Sequence, residues 1–223
     1  MRVVGRKVVI TGGLGCLGTA VAEAFARQGA EIALIARAAG GSSAHLLLDG
    51  VDLTDPDAAR RACTKIRRAL GRIDVLVNVA GGFDMEPADG LAPEVWDRLH
   101  SANLKTCVNM CAGAIEHFAS GGAIVNVGAV AADSPGPGMG AYAASKSGVS
   151  RLTQSLAATL GGRIRVNAVL PRIIDTPANR AAMPGADRST WTSPAAIADV
   201  IAFLASDQAR AVTGALLPVT NAA

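Results

Sequence analysis

The segment Tyr142-Ala-Ala-Ser-Lys146 has the residue types and spacing to move a proton. Side chains four residues apart share one face of a helix. An ammonium held beside a phenol favours the phenolate and lowers its pKa from the ~10 of an isolated tyrosine. Such a hydroxyl can exchange a proton with a carbonyl or an alcohol near neutral pH. The same spacing also describes a tyrosine packed on a surface lysine. Tyr142, however, is the only tyrosine among the 223 residues, and a second motif accompanies it.

That second motif is Thr11-Gly12-Gly13-Leu14-Gly15-Cys16-Leu17-Gly18, which follows an apolar run and opens a helical one. Gly13-x-Gly15-x-x-Gly18 is a dinucleotide pattern in its meaningful context, a strand, a turn and a helix. Glycines let the backbone close on a pyrophosphate, and free N–H groups at the helix start meet its charge. A glycine-rich connection without a ligand is the alternative; the position at the first strand–helix junction favours a cofactor. At the end of the second strand, where NAD sites carry a carboxylate, this chain has Ala36 and Arg37. A guanidinium there neutralises a ribose 2′-phosphate, so NADP(H) is expected over NAD(H), with an ordinary surface arginine as the alternative.

Positioning these groups requires alternating strands and helices. Strands are expected at Lys7–Thr11, Glu31–Ala36, Leu46–Val51, Ile73–Val79, Ala123–Val127, Ile164–Leu170 and Ala215–Val219. Helices are expected at Leu17–Gln28, Pro56–Leu70, Pro93–Ala119, Ala141–Leu160 and Pro194–Ala205. Runs such as Asp74-Val-Leu-Val-Asn-Val-Ala80 are continuously apolar, the signature of parallel strands covered on both faces. The expected fold is therefore α/β, a single doubly wound Rossmann-type domain over 1–223 with a parallel β-sheet flanked by helices. Residues 175–193 lack periodicity and are expected to form a substrate loop, with Phe83–Gly90 as a second wall of the pocket.

Composition removes other classes. Half of the residues are hydrophobic, yet no apolar run reaches the ~18 residues of a membrane span. The apolar start up to Ile10 is interrupted by Thr11-Gly12-Gly13 before a signal-peptide core forms, so a cytoplasmic protein is expected. A formal charge of +3, spread without basic runs or interleaved aromatics, excludes a nucleic-acid surface. Cys16, Cys63, Cys107 and Cys111 contain no CxxC pair and read as buried reduced thiols, with no metal site. The expected partner is a small-molecule substrate.

The chain resembles the short-chain dehydrogenase/reductase family along its whole length. The motifs appear in register: Thr11–Gly18, Val51-Asp-Leu-Thr-Asp55, Asn78-Val-Ala-Gly81, Asn103 in Ser-Ala-Asn-Leu-Lys-Thr, Tyr142–Lys146, and Arg165-Val-Asn-Ala-Val-Leu-Pro171. The resemblance implies that Asp52 and Leu53 lie near adenine, and that Asn78, Ala80 and Gly81 support the central sheet and the cofactor ribose. It implies Tyr142 as general acid, Lys146 on the nicotinamide ribose and Asn103 holding a water that links Lys146 to solvent. Pro171, Ile174 and Thr176 would meet the nicotinamide end. A homo-oligomer, dimer or tetramer, paired through the helices of Asn103 and Tyr142, is also implied.

Departures from the family pattern sharpen the reading. Cys16, Val79 and Arg172 replace residues usual in the family, and the link between the second and third strands is too short for its customary helix. Ala129, thirteen positions before the tyrosine, stands where the family carries a serine that polarises the substrate carbonyl. Losing one such donor costs about 10²–10³ in rate. Either Ser134 or a backbone N–H substitutes for it, or the substrate needs little polarisation. The dihydropteridine reductase branch is similar in having alanine here, Ala80-Gly81-Gly82 and a segment like Pro137-Gly138-Met139. A carbonyl, enone or quinonoid/imine-like acceptor is expected. A cofactor-binding protein with little catalysis, acting as a redox-responsive or assembly partner, is the alternative.

Overall fold

The computed structural model describes residues 3–87 and 91–221. Aliphatic runs supply the strands β1 (Lys7–Thr11), β2 (Glu31–Ile35), β3 (Leu46–Leu48), β4 (Ile73–Asn78), β5 (Phe118–Val127), β6 (Ile164–Pro171) and β7 (Leu216–Val219). Among the described residues they form one sheet in the order β3-β2-β1-β4-β5-β6-β7, and all neighbours are parallel. The order reverses direction at β1, which opens a crevice between the C-terminal ends of β1 and β4, where ligands bind in such sheets.

Side chains alternate across each strand, so every strand feeds two cores. Val8, Ile10, Val75, Val77 and Val125 pack on one face against Val21 and Phe25 of α1 (Cys16–Ala26), and Ile197 and Ile201 of α7 (Pro194–Ala205) lie in the same core. Val9, Leu76, Ile124 and Val166 pack on the other with α2 (Pro56–Leu70), α4 (Thr106–Ala114) and α5 (Gly140–Thr159). α2 shows the local logic. Asp55 caps it by accepting from Asp57 N–H, Pro56 occupies the first turn, Ala59, Ala62, Cys63 and Ile66 are its buried stripe, and Gly71 at φ +87° ends it.

Three expectations are corrected. The helix expected over Pro93–Ala119 is divided into α3 (Pro93–Leu99), a π-helical turn His100–Lys105, α4, and a 3₁₀ turn Ile115–His117. The wide turn carries the buried Asn103, and Phe118 already belongs to β5, which bulges against β4 before Val75 pairs with Ala123. Cys16 is exposed at the start of α1, whereas Cys63, Cys107 and Cys111 are buried, with the Cys63 thiol pushed up to about 12 by burial. The stretch 175–193 is more ordered than its composition suggests. α6 (Pro177–Ala182) starts at Thr176, a 3₁₀ turn spans Arg188–Thr190, and Ile174 bridges Thr192. No helix separates β2 from β3, as the short link predicts.

Candidate active site

The C-terminal ends of β1, β2 and β4 border a cleft of about 820 Å³. Its floor is the glycine-rich turn. Gly12 adopts φ +66°, and a Cβ there would stand 3.0 Å from the amide nitrogen of Ala80. A Cβ on Gly18 would lie 2.2 Å from the carbonyl oxygen of Gly12, so α1 and the turn touch backbone to backbone. Thr11 Oγ1 accepts from the N–H groups of Val79 and Ala80 at 3.1 and 3.0 Å, which locks the turn to the end of β4. α1 carries no acidic residue in its first turn, so its free amides present uncompensated positive charge to the cleft.

Of the residues expected to hold a cofactor, Gly12, Leu14, Gly15, Leu17, Gly18, Arg37, Asp52, Leu53, Ala80 and Gly81 line this cleft. Gly13, Cys16, Asn78, Tyr142, Lys146, Pro171, Ile174 and Thr176 do not. Asn78 is turned into the sheet instead: its amide donates to Asn126 Oδ1 at 2.9 Å, and Asn126 lies directly across the register. Pro171 ends β6, and Thr176 Oγ1 caps α6 by accepting from Asn179 N–H. Arg37 is exposed on the rim, without an ion pair among the described residues. The Thr54 backbone N–H and hydroxyl bind the Asp52 carboxylate and lower its pKa, with smaller help from Arg37 and Lys105.

Tyr142 and Lys146 sit in the first two turns of α5. Lys146 is buried and its ammonium donates to the carbonyl of Val127 at 2.9 Å, with Nζ 6.0 Å from the Tyr142 ring centroid. Asn103 Oδ1 accepts from Gly82 N–H at 2.8 Å and its amide donates to Ser145 Oγ at 2.9 Å. Ser145 in turn donates to the Tyr142 carbonyl at 2.7 Å. A Cβ on Gly81 would lie 2.6 Å from Asn103 Oδ1 and 3.5 Å from Lys146 Nζ. Glycine at 81 leaves room for Asn103, and the cleft edge thereby meets Asn103 and Lys146, with Tyr142 one turn away on the same helix.

The electrostatics reverse one expectation. Burial pushes the Tyr142 phenol up to about 12 and brings Lys146 down to about 8. Desolvation penalises the charged form of each, and the ammonium donates to the Val127 carbonyl instead of the phenol oxygen. Burial thus favours the neutral O–H of Tyr142 over the phenolate.

Two features escape sequence reasoning. Phe83, on the cleft wall, packs nearly perpendicular to Tyr142, and Asp84 pairs with Arg98 on the same rim. Ser134 is exposed and makes no side-chain hydrogen bond among the described residues, so the structure gives no sign that it replaces the serine missing at Ala129. The Phe83–Gly90 wall is described only as far as Pro87; residues 88–90 lie outside the described part. Also among the described residues, no His, Cys, Asp and Glu cluster could hold a metal, and no helix is long and apolar enough to cross a membrane.

Residues 13–221 match the protein family described as enoyl-(acyl carrier protein) reductase. The chain belongs to the short-chain dehydrogenase/reductase family. This short-chain dehydrogenase/reductase is 33% identical to the 3-oxoacyl-(acyl-carrier-protein) reductase FabG of Thermotoga maritima, with 98% of each chain covered. It is also 33% identical to the D-threitol dehydrogenase of Mycolicibacterium smegmatis, over 98% of this chain and 92% of that protein. Its fold superposes with a TM-score of 0.85 on the 3-ketoacyl-(acyl-carrier-protein) reductase of Brucella melitensis complexed with NADH, at 28% identity and 97% coverage of both. The family is one of nicotinamide-dependent oxidoreductases, and the cleft fits such a cofactor. Gly12 and Gly18 leave no room for a Cβ where the turn meets β4 and α1, the α1 amides suit a pyrophosphate, and no carboxylate in that first turn opposes it.

Proposed function

We propose that the chain is an NADP(H)-dependent reductase of a small carbonyl, enone or quinonoid/imine-like compound, with Tyr142 as the proton donor. The observation that carries this reading is the placement of Tyr142 one helical turn from the buried Lys146, with Gly81 beside the lysine and Phe83 against the tyrosine at the edge of the cleft. When bound, the nicotinamide supplies the hydride. The chain's own groups do the rest. The Gly12–Gly18 turn and the start of α1 hold the diphosphate, Arg37 meets the 2′-phosphate, and Asp52 and Leu53 border the adenine. Lys146 donates to the nicotinamide ribose, Pro171, Ile174 and Thr176 approach the nicotinamide end, and Asn103 orders a water beside Lys146. Asn78, through Asn126, stiffens the strands beneath.

Tyr142 gives its proton to the atom that gains negative charge as hydride arrives, and Lys146 stabilises the phenolate left behind. With its pKa brought down to about 8, Lys146 can return a proton to the phenolate and regain one from solvent through the water that Asn103 would hold. Ala129 supplies no hydroxyl to the acceptor atom. That favours electrophiles already polarised by conjugation, the class the dihydropteridine reductase resemblance suggests. Residues 175–193 serve as the substrate loop of a single domain. The exposed Val108 on α4 supports pairing of cytoplasmic copies through the α4 and α5 faces.

NADPH oxidation measured against aldehydes, ketones, quinones and quinonoid dihydropterins tests this. Tyr142→Phe is expected to lower kcat at least about a thousandfold with NADPH binding retained. Parent turnover in that variant, or tight NADPH binding with no turnover on any compound, would end the reductase assignment; the second outcome favours a non-catalytic binder.

A further inference from the structure

The loop after β4 reaches the catalytic helix at a point no motif marks. α5 is twenty residues long, yet its own cap position, Met139, offers no side-chain hydrogen bond, and its first turn holds no acidic residue. A helix start needs partners for its free N–H groups and favours a negative charge. Glu86 provides both from outside. Its Oε2 accepts from Ala141 N–H at 3.1 Å, and its Oε1 accepts from the Trp96 indole N–H at 2.6 Å. Its own N–H donates to the Gly138 carbonyl at 2.8 Å.

Two glycines are shaped to Glu86, one to its carboxylate and one to its backbone. A Cβ on Gly140 would lie 2.7 Å from Glu86 Oε2 and 3.4 Å from the Trp96 ring. Gly138, at φ +68°, would bring a Cβ within 3.1 Å of the Glu86 carbonyl oxygen. The Pro137-Gly-Met-Gly140 segment thus leaves room for a group that comes from another loop. That loop also carries Gly81 and Phe83, which touch the catalytic residues, and Asp84, tied to Arg98.

We propose that Glu86 is a positioning residue: by capping α5 next to Tyr142 and clasping Trp96, it fixes the phenol relative to the loop that walls the cleft. The proposal rests on the reading of Tyr142 as proton donor. Tyr142 follows Ala141 directly, so losing the cap frees the turn that aims the hydroxyl. A misplacement of about 1 Å at a reacting group costs on the order of a hundredfold in rate.

The sole tyrosine makes the test direct. With ring-¹³C-labelled tyrosine the protein gives the NMR signal of Tyr142 alone. In Glu86→Ala and in Gly140→Ala that signal is expected to shift or broaden, while Glu86→Gln, which keeps one acceptor for Ala141, stays near the parent. With NADPH and 9,10-phenanthrenequinone as probes, Glu86→Ala should lower kcat about ten- to a hundredfold with the NADPH Kd changed less than about twofold. Adding Gly140→Ala to it should cost little more, because both remove the same contact. An unmoved Tyr142 signal in both alanine variants overturns the proposal, as does a kcat loss matched by weaker NADPH binding. Should Glu86→Ala not fold, Gly140→Ala and Glu86→Gln decide it by the same signal. Parent turnover in Tyr142→Phe would instead fail the donor reading, and the NMR result would still judge Glu86.

Discussion

Phe83 stands at 81° to Tyr142 with the ring centroids 4.9 Å apart, so a cleft-wall residue covers one edge of the chain's single tyrosine. Phe83 is itself more than half exposed. It shields the phenol from water while remaining at the surface, and its removal opens the site without emptying the core.

Phe83→Ala should therefore lower the Tyr142 pKa from about 12 towards the ~10 of a free phenol. Absorbance near 295 nm reports the phenolate of this one residue. A midpoint that does not fall would mean that other groups bury the hydroxyl. The lost ring pair is worth about 0.5–1.5 kcal/mol of stability.

Stability should follow pH through the same two residues. Lys146, near 8 when folded and near 10.5 when unfolded, carries fewer protons in the folded chain, so stability rises from about pH 8 to 10. Tyr142, near 12 folded and near 10 unfolded, keeps its proton in the folded chain, so its contribution is full below about pH 10 and is lost as pH climbs to 12. Lys146→Met should flatten the rise, an effect of no more than about 3 kcal/mol. Urea unfolding at pH 7 and 9.5 reads it; an equal rise in the variant would assign it to other groups.

Gly18→Ala should be the most damaging single methyl. Its Cβ would meet the Gly12 carbonyl at 2.2 Å, a backbone atom with nowhere to go. We expect a loss of about 1–3 kcal/mol in stability and a drop in NADPH affinity exceeding the drop for Gly15→Ala, whose nearest contact is 3.2 Å. Thermal melts and calorimetric titration with NADPH compare the two.

Arg37→Asp should lower the NADPH/NADH ratio of kcat/KM by at least about tenfold, since a charge-assisted contact becomes a repulsion. An unchanged ratio would remove Arg37 as the phosphate reader.

Ala129→Ser should raise turnover of simple ketones by up to about 10²-fold, by restoring a donor to the acceptor oxygen. Ala129 is buried with extended backbone, so a hydroxyl there needs a partner, which the bound carbonyl would provide. A fall in rate would show that the site is built around the alanine.

Much of this protein was legible in one dimension. Continuous apolar strands separated by helical runs specify a parallel sheet because both faces of each strand must be covered, and the Gly12–Gly18 turn and the Tyr142–Lys146 pair are local patterns whose spacing survives folding. Pro56–Leu70 and Pro194–Ala205 were readable to the residue, since caps and prolines mark their starts. What depends on partners distant along the chain was not. The π turn carries Asn103 to Gly82 and Ser145, partners far from it along the chain. Asn78 faces Asn126 and not the cleft because the parallel register sets the two opposite each other. The raised phenol and the lowered lysine come from desolvation, which depends on everything packed around them and appears in no spacing. Glu86 capping α5 across fifty-five positions is of the same kind: the sequence holds the carboxylate and the glycines that make room for it, but only tertiary packing brings them together.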